Sequence, residues 1–162
     1  LREDKSWSYG VSTSIVGTQA QRPFLAVAPV QADKTSEAMQ ELKREIEQLL
    51  TTKTATEAEV STSKKRSTLT LPGRWETARA VARDISELVR YELPDDYWTD
   101  YADLVGRLSV GEVNAAATAT LHPEQLTWVV VGDLSVIEPK VRSLGFGEVT
   151  VIDVDGNKTA TP

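Results

Sequence analysis

The chain has 162 residues and a mass of 17.8 kDa, enough for one domain with a sizeable core but short of two. Its 18 Lys and Arg against 24 Asp and Glu give a net charge of -6, without the basic excess that phosphate-backbone binding needs, so nucleic acid is excluded as an expected partner. The absence of Cys removes disulfides, thiol nucleophiles and thiolate metal sites, and 40% hydrophobic residues exclude wholesale disorder.

The longest apolar stretch is of the kind Trp128, Val129, Val130, Val131, far short of the roughly 20 residues of a membrane span, so none is expected. The start Leu1, Arg2, Glu3, Asp4, Lys5 has neither the apolar core of a signal peptide nor an initiator Met, and the chain is expected to be an excised part of a longer polypeptide. From Tyr9, the alternation of Tyr9, Val11, Thr13 and Ile15 against Gly10, Ser12 and Ser14 predicts a half-buried strand. Residues 17–23 supply a turn. Residues 24–30 form a second apolar run that Pro29 confines to an edge or strand end, giving an antiparallel hairpin.

From Asp33 the period changes to helical, with Ala38, Met39, Leu42, Ile46, Leu49 and Leu50 on one side and Asp33 or Thr35 as cap. Thr56 and Glu59 have capping-box spacing for a second helix, which Pro72 and Gly73 are expected to stop after Leu69 and Leu71. A third helix is predicted from about Trp75 to Tyr91, with Trp75, Ala78, Val81, Ala82, Ile85, Leu88 and Val89 in a single apolar stripe. Leu93, Pro94, Asp95 and Asp96 open a fourth, carrying Tyr97, Tyr101, Leu104, Val105 and Leu108. Ser109 and Glu112 form a second capping box before an alanine-rich helix. Residues 126–131 read as a strand covered on both faces and central in a sheet, residues 135–144 as a short helix and residues 149–154 as a last strand. The order implies an α+β domain with a mixed, largely antiparallel sheet and helices stacked on one face. It spans residues 1–156, with 157–162 as a flexible tail.

One His and no Cys cannot assemble a zinc site of the His-His-carboxylate kind, so no metal ligand or cofactor is predicted in this chain. His122, before Pro123 in a connection, reads as a polar loop residue. No G-x-S-x-G elbow, P-loop, dinucleotide fingerprint or EF-hand loop is present. The acidic run Glu92, Asp95, Asp96, Asp100 and Asp103 lacks the alternation of a calcium loop and reads as a solvated helix start. Trp7, Trp75, Trp98 and Trp128 look too dispersed for an aromatic platform and read as core or interface anchors.

The segment from Leu1 to Gly10 resembles a stretch of the pitrilysin/insulinase family of zinc metallopeptidases, in which Leu-Arg-Glu is followed by a linker and a Tyr beside small residues. Arg2 and Tyr9 match that Arg and Tyr in kind and spacing. The similarity continues in order through the residues 24–30, Leu93-Pro94 with Tyr97, Ser109 to Val113, His122-Pro123-Glu124, Val129 to Asp133 and Val151 to Gly156. The resemblance implies a catalytically inactive C-terminal domain of a bacterial peptidase, truncated at its N-terminus, with zinc held by an H-x-x-E-H motif in a separate domain or subunit. It further implies closure over an unfolded peptide. Tyr9 would then donate to the scissile carbonyl as it becomes an oxyanion, and Arg2 would hold nearby carbonyl oxygens. Ser6 stands where many relatives carry Gly, which bears on the path of the loop. On this reading the fragment alone is not an active enzyme, the parent is a zinc metalloendopeptidase, and an exported or periplasmic location is favoured. The alternative is a purely structural scaffold domain that binds no substrate, with Arg2 paired to a carboxylate and Tyr9 filling the inner face of its strand.

Overall fold

In the computed structural model, residues 1–159 are described. The elements in chain order are β1 (Ser12–Ile15), β2 (Phe24–Val27), α1 (Thr35–Leu49), α2 (Glu57–Leu69), α3 (Leu71–Arg74), α4 (Ala78–Tyr91), α5 (Tyr97–Arg107), α6 (Val110–Thr120) and α7 (Leu134–Ser143). Strands β1 and β2 form a two-stranded antiparallel hairpin. The class is α+β, as the sequence predicts. Packing divides the described residues into two compact units: Leu1–Ser14, Ala26–Glu45 and the residues from Gln125 onward make the first, and Ile15–Leu25 with Ile46–Glu124 make the second.

The buried centre of the first unit is Ala38 and Met39 of α1 with Ile137 of α7. Thr35 is buried beside them and its hydroxyl donates to the Ala32 carbonyl at 2.9 Å. Lys140 of α7 donates to the Asp33 carbonyl at 3.0 Å, tying α7 to the start of α1. Asp133 caps α7 through the Ser135 amide at 2.9 Å, as a helix start at this Asp requires.

In the second unit, both predicted capping boxes form. The Glu59 amide donates to Thr56 Oγ1 while the Thr56 amide donates back to the Glu59 carboxylate, and Ser109 and Glu112 repeat the arrangement at α6. Val60 of α2 is the buried apolar residue here. Asn114 of α6 holds the chain before α2 with paired bonds to Ala55, accepting from its amide at 2.9 Å and donating to its carbonyl at 3.0 Å.

Three features depart from the sequence reading. Pro72 and Gly73 do not simply stop a helix, because Pro72 sits in the first turn of α3, where its missing N–H costs no intrahelical bond. The strand expected from Tyr9 begins at Ser12, and the second covers Phe24–Val27 rather than residues 24–30. Beyond them, Ser8 and Val30 form only an isolated antiparallel bridge.

The largest departure concerns residues 126–131 and 149–154, which form no strand among the described residues. Residues 126–131 are not covered on both faces. Leu126, Trp128 and Val130 are half-buried while Thr127, Val129 and Val131 are exposed, Val129 to 80% and Val131 to 93%. A continuous apolar run is the composition of a two-sided strand, but it becomes one only when neighbours supply both ladders. Within 149–154, only Ile152 makes a bridge, to Lys158, so the start of the expected tail is tied back; its last three residues lie outside the described ones.

Candidate functional site

The loop of residues 1–10 is built by its own backbone. The Ser6 amide donates to the Arg2 carbonyl and the Trp7 amide to the Leu1 carbonyl, both at 3.0 Å, closing a tight turn. Ser6 adopts φ 54°, the left-handed region that Gly tolerates best, so the loop keeps a glycine-type path with a serine in place. The turn is then pinned to the chain after β2: the Gln31 amide donates to the Trp7 carbonyl at 3.0 Å and Ser8 Oγ donates to the Pro29 carbonyl at 2.6 Å.

These pins leave both sequence-predicted site residues facing solvent. Tyr9 is 97% exposed and does not fill the inner face of a strand. The Arg2 side chain is 70% exposed, with Nε 3.4 Å from Glu3 Oε1, a surface pair of little strength that water and salt screen. The loop thus offers the forked donor of an Arg and the neutral donor of a Tyr, two groups suited to carbonyl oxygens.

A second cluster, in the second unit, was not legible from spacing. Asp84 of α4 is buried and ionised, accepting from Arg74 Nε at 2.6 Å and Nη2 at 2.9 Å, from Trp75 Nε1 at 2.7 Å and from Arg83 Nε at 3.3 Å. The Arg74 hydrogen bonds hold its carboxyl below the usual carboxylate range, with Trp75 and Arg83 adding to the effect. Arg74 also donates to Glu87 at 3.1 Å and lies 4.2 Å over the Trp98 ring. Trp98 meets Trp75, Tyr97 and Tyr101 with ring centroids 6.2, 5.0 and 5.3 Å apart. Two of the four tryptophans therefore do assemble, contrary to the dispersed reading, because the α3–α4 turn brings Trp75 back onto α5. Burial raises the pKa of Tyr97, which keeps its phenol neutral. Four donors already serve Asp84, so its carboxylate is a structural acceptor and not a free base.

His122 is exposed, with Nδ1 3.7 Å from Glu124 Oε1, as expected of a polar loop residue. In the acidic run, Glu92 is the left-handed C-cap of α4 and Asp96 precedes α5 without a side-chain cap bond. Among the described residues, no group of three His, Cys, Asp or Glu is placed to hold a metal ion.

No family model matches this sequence, and no curated protein matches it. Among solved structures, the chain is similar to the peptidase M16 inactive domain from Pseudomonas fluorescens, with a TM-score of 0.65 and 23% sequence identity. The match covers 75% of this chain and 29% of that one. Over that three-quarters of the chain the fold is similar to the one solved there. This agrees with the pitrilysin-type α+β architecture that the order of motifs implies. The chain spans under a third of the M16 chain it matches, so that protein's length exceeds anything the inactive-domain fold here accounts for.

Proposed function

We propose that this inactive-domain fold is the zinc-free C-terminal domain of a bacterial zinc metalloendopeptidase, closing over unfolded peptide and supplying Arg2 and Tyr9 to a separate H-x-x-E-H domain that carries the zinc. The observation that supports it is the presentation of the two donors: one pinned loop exposes the Tyr9 ring to 97% and the Arg2 side chain to 70%. What supports the reading is that one short loop carries both a forked cationic donor and a phenolic donor, each open to a ligand's carbonyl oxygens. Tyr9 would donate its O–H to the carbonyl oxygen as negative charge develops there, while Arg2 would hold neighbouring carbonyl oxygens of the peptide. The zinc-bearing partner would supply the water activation, and an exported or periplasmic enzyme fits this reading.

The test is made in the complete peptidase. Tyr9→Phe keeps the ring and removes the donor, and is expected to lower turnover on the order of a hundredfold with zinc content and melting temperature unchanged. Arg2→Lys keeps the charge and loses the fork, and is expected to weaken substrate engagement as well. Wild-type turnover in both variants would sink this reading. It would advance the alternative of a structural scaffold domain, which the open apolar side chains of α4, Ile85 at 55% and Val89 at 74%, favour.

A further inference from the structure

Tyr9 lies in the middle of a span that one hydroxyl closes. Ser8 Oγ accepts from the Gly10 amide at 3.1 Å, so the side chain before the tyrosine holds the peptide after it, a local turn that serine favours. The same hydroxyl carries one proton, which it donates to the Pro29 carbonyl at 2.6 Å; the Gly10 carbonyl, at 2.8 Å, is a second acceptor within its reach. Ser8 also faces Val30 in the antiparallel bridge, and the Gln31 amide donates to the Trp7 carbonyl at 3.0 Å. Residues 7 and 8 are thereby fixed to residues 29–31, and Gly10 is fixed to Ser8, all within the first unit.

The Tyr9 side chain is 97% exposed, so its direction is set by the backbone on either side and not by packing around the ring. Arg2 is held differently. Its carbonyl receives the Ser6 amide and the Leu1 carbonyl receives the Trp7 amide, in a turn to which the Ser8 hydroxyl contributes nothing. The loop therefore has two separate fastenings, one for each donor. A phenol stabilises a developing oxyanion only where its O–H meets that oxygen, and a displacement of about 1 Å can cost on the order of a hundredfold in rate.

We propose that Ser8 is the positioning residue for Tyr9, its hydroxyl bridging Pro29 and Gly10 and holding the tyrosine between them at the angle from which it reaches the scissile carbonyl. This rests on the reading in which Tyr9 donates to that carbonyl, and adds the group that aims it.

The test has two arms. In the 162-residue chain, amide exchange at Gly10 is read by NMR. Ser8→Ala is expected to speed that exchange about threefold or more, and Ser8→Thr, which keeps the hydroxyl, to leave it close to the wild type. In the complete peptidase, Ser8→Ala is expected to lower kcat about tenfold with KM and zinc content unchanged, because Arg2 keeps its own fastening. Ser8→Thr should restore most of the rate. Added to Tyr9→Phe, Ser8→Ala should cost less than about twofold more, since the hydroxyl it aims is already gone.

Unchanged Gly10 exchange in Ser8→Ala would overturn the proposal and leave the peptidase reading in place. So would wild-type kcat in Ser8→Ala beside a slow Tyr9→Phe, an equal loss in both backgrounds, or a loss of rate that tracks a fallen melting temperature. Wild-type turnover in Tyr9→Phe would overturn both.

Discussion

Arg74 grips Asp84 with both prongs of its fork, Nε on Oδ2 at 2.6 Å and Nη2 on Oδ1 at 2.9 Å, joining α3 to the middle of α4. Asp84→Ala would leave the Trp75 N–H without its acceptor and the Arg74 guanidinium with only Glu87. Because Arg74 remains about a third exposed, the cost is expected to be about 2–3 kcal/mol rather than the larger figure for a wholly buried pair, measured by urea unfolding. The pH dependence has a definite sign. Folding lowers the Asp84 pKa, so its contribution is fully present above the ordinary carboxylate value of about 4 and is lost as pH falls through the lower folded value. In Asp84→Asn that loss on acidification should be smaller than in the wild type.

The capping boxes make a local prediction. Thr56→Ala removes the hydroxyl that accepts the Glu59 amide and should destabilise by about 1 kcal/mol, with Ser109→Ala giving a similar loss. Thr56→Ser should restore most of it, because the acceptor is kept. Chemical denaturation of the three variants distinguishes a cap from a general intolerance of substitution.

Ser6 provides a test of the loop that carries Arg2 and Tyr9. At φ 54°, Ser6→Gly relieves left-handed strain but frees the unfolded chain, so the net change should be within about 1 kcal/mol and favourable. Ser6→Val places a branched side chain in the same region and should loosen the turn. Faster exchange of the Ser6 and Trp7 amides, which close onto Arg2 and Leu1, is the readout.

Metal analysis tests the division of labour between domains. After dialysis, the chain is expected to retain no stoichiometric zinc, since its one His and dispersed carboxylates cannot close a tight site. An equivalent of zinc bound through His122 would contradict the proposal that the metal belongs to another domain.

Local chemistry was readable before tertiary contact. Thr56 with Glu59, and Ser109 with Glu112, predict helix starts because both partners lie three residues apart on the same turn. Residues 126–131 misled because strand pairing depends on neighbours that composition does not name. The Arg74–Asp84 fork was invisible for a similar reason. The two lie ten residues apart, on either side of a helix break, and an isolated acid within an apolar stripe looks like a surface residue. Arg2 and Tyr9 stand out in the sequence by resemblance alone, and what the structure adds is their exposure.

The same fork also fixes a rotation. Along α4 the inward residues are Ala80, Asp84 and Leu88, while Val81, Ile85 and Val89, at 38%, 55% and 74% exposure, lie about 100° around the axis because successive residues turn by that angle. Rolling the helix to sink the valines would pull Asp84 off Arg74, exchanging greasy contact for a stranded charge. A polar clamp therefore keeps an oily stripe turned outward against its own tendency to hide, and any surface that comes to lie on α4 meets that stripe already aimed.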